Sequence, residues 1–244
     1  MTVRIVSLVP SSTETLLALG ADVVACTRFC EQPQIRQVGG TKNPDIEAIV
    51  TLEPDLVVMD REENRIEDHD ALASRGVEVW VSDVRSVDDA LSFVGDLCAR
   101  LGIEPPAAIG PVEPIGGPVR RAFVPIWRRP WMSISDATYG GSVLRAVGVE
   151  LVTAGSDVPY PVVELDRIAS LAPDLVLVPS EPYDFEARHL DELAVAMPGV
   201  PIVRVDGQDL FWWGIRTPAA IGRLAEALQQ SGTVGRDDPP PVGE

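Results

Sequence analysis

The chain has 244 residues, 45% of them hydrophobic, and its 37 acidic and 20 basic side chains give it a formal net charge of −17. A chain of this length can bury a large core, as one domain or as two. Its negative field repels nucleic acid and anionic membrane, so both are poor candidates for partners, and no apolar run is long enough to span a bilayer.

The first part of the chain alternates strand and helix patterns. Ser11 and Glu14 are spaced as a capping box, and Gly20 suits the left-handed position that ends a helix. The predicted strands are 4–9, 21–26, 56–60 and 77–81, and the predicted helices are 11–20, 46–52, 65–75 and 86–101. This alternation is typical of an α/β lobe with a mostly parallel sheet.

One sequence unit occurs twice. Residues 46–59 and 165–178 each run a short amphipathic segment into Leu-x-Pro-Asp-Leu-Val and then into a β-branched run. Pro54 and Pro173 cannot continue a helix, and each biases the residue before it toward extended backbone. The apolar runs behind them are too short for buried helices and favour buried strands. The repeat therefore predicts two similar lobes.

The C-terminal part repeats the order of the first. Its predicted strands are 119–126, 149–152, 175–178 and 200–206, and its predicted helices are 140–148, 165–170 and 218–230. Matched blocks in the same order indicate an internal duplication.

A Pro/Gly-rich stretch separates the two parts. Residues 103–118 hold five prolines and three glycines, which predicts an extended linker. We therefore predict an N-terminal α/β lobe at 1–85, a connecting helix and linker at 86–118, a C-terminal α/β lobe at 119–231 and a disordered tail at 232–244.

The loops that follow the strands carry the candidate site. Ligands of parallel α/β sheets collect beyond the carboxyl ends of the strands. Aromatic rings suit the face of a flat or bulky ligand, and interleaved arginines add charge recognition, although some of these rings could instead fill a lobe core. The candidate ligand-binding residues are Ser11, Ser12, Glu14, Arg28, Phe29, Glu63, Asn64, Arg65, Trp127, Arg128, Trp131, Tyr139, Glu181, Tyr183, Phe185, Trp212, Trp213 and Arg216.

The three cysteines, Cys26, Cys30 and Cys98, cannot all pair within one chain and fit a reducing compartment. Cys26 and Cys30 could form half of a metal site, but no histidine completes it, so we expect reduced cysteines and no metal. The opening residues lack the charged and apolar regions of a signal peptide, so we expect a cytoplasmic protein. A chain trimmed of such a signal would read the same and would be periplasmic or extracellular.

The two-lobed pattern, the Leu-x-Pro-Asp-Leu-Val repeats and the opening Ile-Val-Ser-Leu-Val-Pro-Ser-Ser-Thr-Glu resemble the class III periplasmic binding proteins, also called the helical-backbone metal receptors, over residues 4 to about 230. The opening looks closest to the vitamin B12-binding branch. The resemblance implies two Rossmann-like lobes with a ligand cleft between them. It also implies a long inter-lobe helix, which the linker 103–118 here replaces.

The first functional hypothesis is a non-enzymatic, ABC transporter-like binding protein. Its ligand would be a corrinoid such as cobalamin, or another metal chelate such as haem or a siderophore, with no intrinsic cofactor. Transporter components are then candidate partners. The second is a cytoplasmic enzyme on the same scaffold, with Glu14, Glu62, Glu181 or His189 moving protons. A third is an acidic module that binds a basic protein. Neither a Gly-x-Ser-x-Gly elbow nor a phosphate-binding Gly-x-x-x-x-Gly-Lys occurs, and we assign no catalytic residue.

Overall fold

The computed structural model describes residues 3–107, 109–110, 112, 115–116 and 118–233, with side chains to residue 230. The described chain forms two compact units. The first comprises Met1–Val112 with Trp212–Pro218, and the second comprises Glu113–Phe211 with Ala219–Glu244. The predicted α/β class with two lobes and mostly parallel sheets is confirmed.

The first unit is built on a five-stranded parallel sheet. Its elements are β1 (Arg4–Ser7), α1 (Pro10–Ala18), β2 (Asp22–Cys26), β3 (Arg36–Gln37), β4 (Gly39–Gly40), β5 (Asn43–Pro44), α2 (Ile46–Thr51), β6 (Leu56–Asp60), α3 (Ile66–Ala73), β7 (Val79–Ser82) and α4 (Val87–Leu101). The sheet order is β3-β2-β1-β6-β7, and β4 and β5 form a separate hairpin. Its core includes Val6, Leu8, Val57, Met59 and Leu72, all at most 1% exposed.

The second unit repeats this arrangement. The elements after residue 119 are β8 (Arg120–Phe123), β9 (Pro125–Trp127), β10 (Trp131–Ser133), α5 (Tyr139–Ala146), β11 (Val149–Leu151), β12 (Val162–Val163), α6 (Leu165–Ser170), β13 (Leu175–Pro179), α7 (Ala187–Ala196), β14 (Ile202–Val205), α8 (Gly207–Phe211) and α9 (Thr217–Thr233). The parallel sheet has the order β11-β8-β13-β14, which matches β2-β1-β6-β7 strand for strand. The internal duplication is thus visible in the strand order.

In the first copy of the repeat, three hydrogen bonds connect the first strand of the sheet to the turn that contains Pro54. The Asp55 carboxylate accepts a hydrogen bond from the Arg4 N–H at 2.8 Å, and the Arg4 guanidinium donates to the Leu52 carbonyl at 2.9 Å. The Asp55 N–H returns to the Arg4 carbonyl at 2.9 Å. These bonds join the start of β1 to the turn before β6.

The second copy uses the same three bonds. Asp174 accepts from the Arg121 N–H at 2.7 Å, the Arg121 guanidinium donates to the Leu171 carbonyl at 2.6 Å, and the Asp174 N–H donates to the Arg121 carbonyl at 2.7 Å. The leucine and aspartate that recur in the two copies therefore serve strand assembly in both units.

The residues before the two repeat prolines are not extended, contrary to our prediction. Glu53 has φ +47° and Ala172 has φ +49°, so both are left-handed. Each sits directly after a helix C-cap residue, Leu52 or Leu171, and a left-handed residue there ends a helix in the usual way. Helix termination overrides the extended bias that proline imposes on its neighbour.

Two further local predictions were wrong. Helix α1 begins at Pro10 with Val9 as its N-cap, so Ser11 and Glu14 lie inside the helix and form no capping box; a proline at the first helical position needs no N–H partner. The strand predicted at 119–126 divides, because β8 joins the parallel sheet while β9 joins a separate antiparallel sheet, β12-β10-β9, that we did not predict.

The structure agrees with part of the prediction for residues 86–118. Helix α4 is capped by Ser86, whose side chain accepts from the Asp89 N–H, and by left-handed Gly102 at φ +66°. The described residues of 103–118 contain no helix. Of the predicted tail, 232–233 close α9 and the rest lies outside the described residues. The lobe boundaries remain a prediction.

Candidate functional site

An exposed arginine and an exposed phenylalanine follow β2. Phe29 is 51% exposed, and the Arg28 guanidinium lies 4.7 Å from its ring centroid in a cation–π contact. The Arg28 N–H donates to the Gly39 carbonyl at 3.0 Å, which ties this loop to the β4–β5 hairpin. A Cβ on Gly40 would approach the Arg28 guanidinium to 3.1 Å, so the glycine leaves room for it. No ion pair holds Arg28 within the described part of the chain.

Asn64 holds three loops of the first unit together. Its amide donates to the carbonyls of Leu8 at 3.3 Å and Thr41 at 2.9 Å, and its carbonyl accepts from the Asp60 N–H at 2.8 Å. It is buried, and all of these contacts are internal. We therefore assign Asn64 to loop architecture. Its neighbour Glu63 is exposed and remains a candidate.

Asp60 organises the turn that carries Glu62 and Glu63. One carboxylate oxygen accepts from the N–H groups of both glutamates, at 2.9 and 3.3 Å, and the other accepts from the Ser82 hydroxyl at 2.7 Å. Burial raises the pKa of Asp60, and these hydrogen bonds act in the opposite direction. The Lys42 ammonium donates to the Glu62 carbonyl and closes the loop against the hairpin.

Three of the four predicted arginines are paired, and two of these, Arg216 and Arg65, lie in the first unit. Arg216 makes a two-point ion pair with Glu14, with nitrogen–oxygen distances of 2.6 and 2.8 Å, and lies 5.1 Å from the Trp212 ring centroid. Arg65 binds the Asp68 carboxylate at 3.1 and 3.3 Å. Their guanidinium groups are therefore engaged inside the first unit, and Glu14 is equally engaged.

Trp213 belongs to a core cluster of the first unit. It is 6% exposed and packs edge-on against Phe93, with ring centroids 4.8 Å apart, and Phe93 in turn stacks on Trp80 at 5.1 Å. Gly214 allows this return of the chain, because its φ of +111° is left-handed and a Cβ there would strike the Thr15 hydroxyl. We assign Trp213 to the core.

The antiparallel sheet of the second unit presents an apolar row. Met132 lies directly opposite Val162 on one neighbouring strand and opposite Trp127 on the other, so the three side chains share one face. Val162 is 59% exposed and Trp127 45%. The Tyr183 ring supports Trp127 edge-on, with centroids 5.2 Å apart. We call Trp127, Met132, Val162 and Tyr183 the aromatic platform.

Beneath Tyr183 lies a buried aromatic stack. Phe185 is fully buried and stacks on half-buried Trp131, at 5.8 Å and an interplanar angle of 3°. The Arg128 guanidinium is bound by Glu192 at 2.6 Å, and the same carboxylate accepts from the Trp131 indole N–H at 3.4 Å. We assign Phe185 to the core and Arg128 to support of the stack.

His189 caps α7. The Glu186 N–H donates to its Nδ1 at 3.0 Å, the Arg188 guanidinium nitrogen lies 3.2 Å from its Nε2, and the residue is 2% exposed. Both ring nitrogens are thus occupied by backbone and side chain of the same helix end. This position gives His189 a structural role and removes the one imidazole that the enzyme hypothesis used.

Four predicted polar residues are at least half-buried. Ser11 and Tyr139 are 5% and 6% exposed. Glu181 packs against Gly207, where a Cβ would meet the Glu181 backbone N at 2.6 Å. Ser12 is fully buried, and among the described side chains its hydroxyl oxygen is buried without a hydrogen-bond partner. The Ser12 hydroxyl group, at the first turn of α1, can therefore still donate and accept a hydrogen bond.

Sequence reasoning missed Met132, Val162 and Gly40. A signal for Met132 was available, because Trp127 and Trp131 flank an Arg-Arg-Pro turn in the pattern of a hairpin, but none marked Val162. No comparable signal marked Gly40. In the part of the chain that the structure describes, no three His, Cys, Asp or Glu side chains converge as a metal site requires, and no helix is long and apolar enough to cross a membrane.

The sequence is similar to proteins named vitamin B12-binding protein. That of Yersinia pseudotuberculosis serotype O:3 (strain YPIII) is 26% identical over 262 residues, which cover 99% of this chain and 89% of the relative. That of Yersinia pestis (strain Pestoides F) is 25% identical over the same coverage. No protein-family model matches the chain.

The fold is similar to those of solved periplasmic binding proteins. The vitamin B12-binding protein BtuF of Vibrio cholerae superposes with a TM-score of 0.70 at 19% identity, covering 94% of this chain and 97% of that one. The haem-binding protein BhuT, solved with two haems, gives a TM-score of 0.77 at 20% identity, covering 95% and 99%. The haem-binding protein HutB of Vibrio cholerae gives 0.72 at 21%, covering 93% and 98%.

Proposed function

We propose that this chain, which has the fold of the class III periplasmic binding proteins and vitamin B12-binding proteins among its relatives, is a binding protein for a bulky, flat metal chelate, with a corrinoid first and haem second. The observation that carries the proposal is the exposure of aromatic rings where strands end. Phe29 and Trp127 are 51% and 45% exposed, although burying either ring would stabilise the fold.

Each exposed ring is held by a packed neighbour. Arg28 lies against Phe29, and Tyr183 supports Trp127. A ring with a fixed orientation loses little conformational entropy when a flat ligand stacks on it, so it contributes more to affinity than a mobile ring. Met132 and Val162 extend the apolar area around Trp127, which suits a ligand much larger than a single ring.

Arg28 indicates which chemical group the ligand carries. It is an exposed guanidinium without an ion pair among the described residues, in a protein with a net charge of −17. An exposed guanidinium that makes no ion pair is suited to bind a carboxylate or phosphate in two-point fashion. Cobalamin carries a phosphodiester and haem carries two carboxylates, so both ligands offer the group that Arg28 would bind.

The alternatives receive less support. Of the groups that the enzyme hypothesis used, Glu14 is paired with Arg216 and His189 caps a helix. The acidic-module hypothesis rests on net charge alone. Transporter components as partners follow from the binding-protein proposal, and the relatives described as periplasmic suggest where such a partner would be met.

Titrations of the purified chain with hydroxocobalamin and with haemin, followed by absorbance and calorimetry, test the proposal. We expect at least one to bind at low micromolar concentration, and Phe29→Ala and Trp127→Ala each to weaken binding about tenfold. Ile66→Ala and Val195→Ala remove exposed apolar side chains on helices, 66% and 82% exposed, and serve as controls that leave affinity unchanged. Absence of binding by both ligands at high micromolar concentration would refute the proposal.

A further inference from the structure

Two thiols meet at the base of the Arg28–Phe29 loop. Cys26 is the last residue of β2 and fully buried, and Cys30, four residues later, is 2% exposed. The Cys26 thiol hydrogen-bonds to the Cys30 sulfur. The Cys30 N–H donates to the Thr27 carbonyl at 3.1 Å, so a tight turn at residues 27–30 separates the two thiols along the chain.

The surroundings of Cys30 favour a thiolate. Hydroxyl groups of Thr13 and Thr27 lie 3.1 and 3.2 Å from its sulfur. Hydrogen bonds from Cys26, Thr13 and Thr27 lower the pKa of Cys30 against the opposing effect of burial, whereas the hydrogen bond to Cys30 and burial both raise that of Cys26. A thiolate beside a protonated thiol is the arrangement in which one sulfur attacks and the other resolves.

Cys98 provides an internal contrast. It lies in α4 and is fully buried, and burial raises its pKa. Within the described residues, neither a second thiol nor a hydroxyl group hydrogen-bonds to its sulfur. The chain therefore holds one thiol pair in polar surroundings and one thiol in an apolar helix face.

We propose that Cys26 and Cys30 form a reversible disulfide when the chain meets a hydroperoxide, and that this crosslink changes the loop that presents Arg28 and Phe29. The Cys30 thiolate attacks one peroxide oxygen, the O–O bond breaks, and the released alkoxide takes up a proton to become an alcohol or water. Cys30 is left as a sulfenic acid. The Cys26 thiol then attacks the Cys30 sulfur, the S–S bond forms as the S–O bond breaks, and hydroxide leaves with the Cys26 proton as water.

The loop that contains Cys30 accounts both for access of an oxidant to the sulfur and for the movement that follows disulfide formation. Cys30 lies between exposed Phe29 and exposed Glu31, and Glu31 has φ +55°, a left-handed conformation that strains a non-glycine residue. Local opening of such a loop exposes the sulfur to a small oxidant. An S–S bond is about 2 Å long, so its formation draws Cys30 toward Cys26 and away from Thr13.

The effect on ligand rests on the proposed function, but disulfide formation does not. The full chain is treated with hydrogen peroxide, remaining thiols are blocked with N-ethylmaleimide, and peptides are identified by mass spectrometry. We expect a Cys26–Cys30 disulfide, with both thiols lost about tenfold faster than Cys98. Equal loss of all three thiols, or retention of Cys26 and Cys30 while Cys98 oxidises, would overturn the proposal.

Variants separate the steps. Cys26→Ser should leave Cys30 as a sulfenic acid that dimedone labels, and Thr13→Val should slow oxidation several-fold while leaving Cys98 oxidation unchanged. Cys98→Ser is the matched control and should oxidise as the parent does. A Cys26→Ser protein that dimedone does not label would contradict the assigned order of attack.

A final comparison measures haemin and hydroxocobalamin binding by the reduced and the oxidised chain. We expect oxidation to weaken binding about tenfold, with recovery after dithiothreitol. Equal affinity of both forms would refute the coupling to the loop. If neither form binds, the proposed function fails, and the disulfide stands or falls on the mass spectrometry alone.

Discussion

Arg216 and Glu14 form a two-point ion pair across 202 positions of the chain, with Nε–Oε2 and Nη2–Oε1 distances of 2.6 and 2.8 Å. Their side chains are 15% and 32% exposed, so water screens the pair only in part. The pair fixes residues Trp212–Pro218 on the first unit, together with the Thr15 hydroxyl, which accepts from the Ile215 N–H at 3.1 Å.

We predict that Arg216→Gln and Glu14→Gln each lower the free energy of unfolding by about 1–3 kcal/mol, because each leaves a half-buried charge without its partner. Urea unfolding measures this. The double variant should cost less than the sum of the single variants, and a strictly additive double variant would contradict a direct interaction. Arg204→Gln, at an exposed arginine of β14, is the control and should change stability by less than about 0.5 kcal/mol.

A second prediction concerns Gly214. Gly214→Ala should destabilise the chain by about 2 kcal/mol or more, because the backbone there has φ +111° and the new Cβ would strike the Thr15 hydroxyl. Gly95→Ala is the matched control. Gly95 lies within α4, and a Cβ added there would have no neighbour within 4 Å, so alanine should stabilise that helix by about 0.5–1 kcal/mol. Thermal unfolding of both variants should show shifts of opposite sign.

A third prediction tests how Arg28 is positioned. Gly40→Ala places a Cβ 3.1 Å from the Arg28 guanidinium and 2.6 Å from the Asn43 amide oxygen, both ends of flexible side chains. The fold should survive while the guanidinium shifts, so haemin or hydroxocobalamin affinity should fall about three- to tenfold. In an Arg28→Gln background the same change should have no further effect. A full additional loss in that background would mean that Gly40 acts by another route.

A fourth prediction concerns the dependence of stability on pH. Because burial raises the pKa of Asp60, the folded state binds its proton more tightly than the unfolded state does. Stability contributed by this group is therefore lost as the pH rises from the ordinary value of 3.8 through the raised pKa. Asp60→Asn cannot ionise, so its stability relative to the parent should increase from pH 4 to pH 7.

Asp83 supplies the opposite control. Hydrogen bonds from Arg85 lower the pKa of Asp83, so it contributes stability above its ordinary pKa that is lost as the pH falls. Asp83→Asn should therefore become less stable relative to the parent as the pH rises through the ordinary value of 3.8, and the difference should change little above about pH 5. Urea unfolding at several pH values measures both variants. Differences that do not vary with pH would contradict the two assignments.

The sequence predicted the parallel α/β lobes well because their signals are local. The two copies of Leu-x-Pro-Asp-Leu-Val locate β6 and β13, and the apolar spacing of residues 86–101 locates α4. The sheet β12-β10-β9 has strands of only two or three residues, too short for any periodicity to mark. The pairing of β10 with β12 also depends on contacts between residues that are far apart in the sequence, such as Trp131 with Val163.

For the candidate site, too, only features with a local sequence signal could be predicted. Proximity to a predicted strand end was sufficient to select Phe29 and Trp127 as candidates, and both are exposed in the structure. It was not sufficient to separate Arg28 from Arg216, because the sequence does not say which carboxylate folds back onto an arginine. Glu14 is 202 residues from Arg216, and no local pattern links them. Burial of Phe185 under Tyr183 was equally invisible, since both follow the same strand.

Because residues Trp212–Pro218 belong to the first unit, the two halves of the chain cannot simply be separated at one point in the sequence. Neither unit is a continuous stretch of sequence, so truncation after residue 112 would deprive α1 of Arg216 and of the Gly214 turn. The halves share one strand order, yet they are not interchangeable modules. Any dissection, circular permutation or exchange of one half must carry this seven-residue return with the N-terminal half, or that half loses part of its own core.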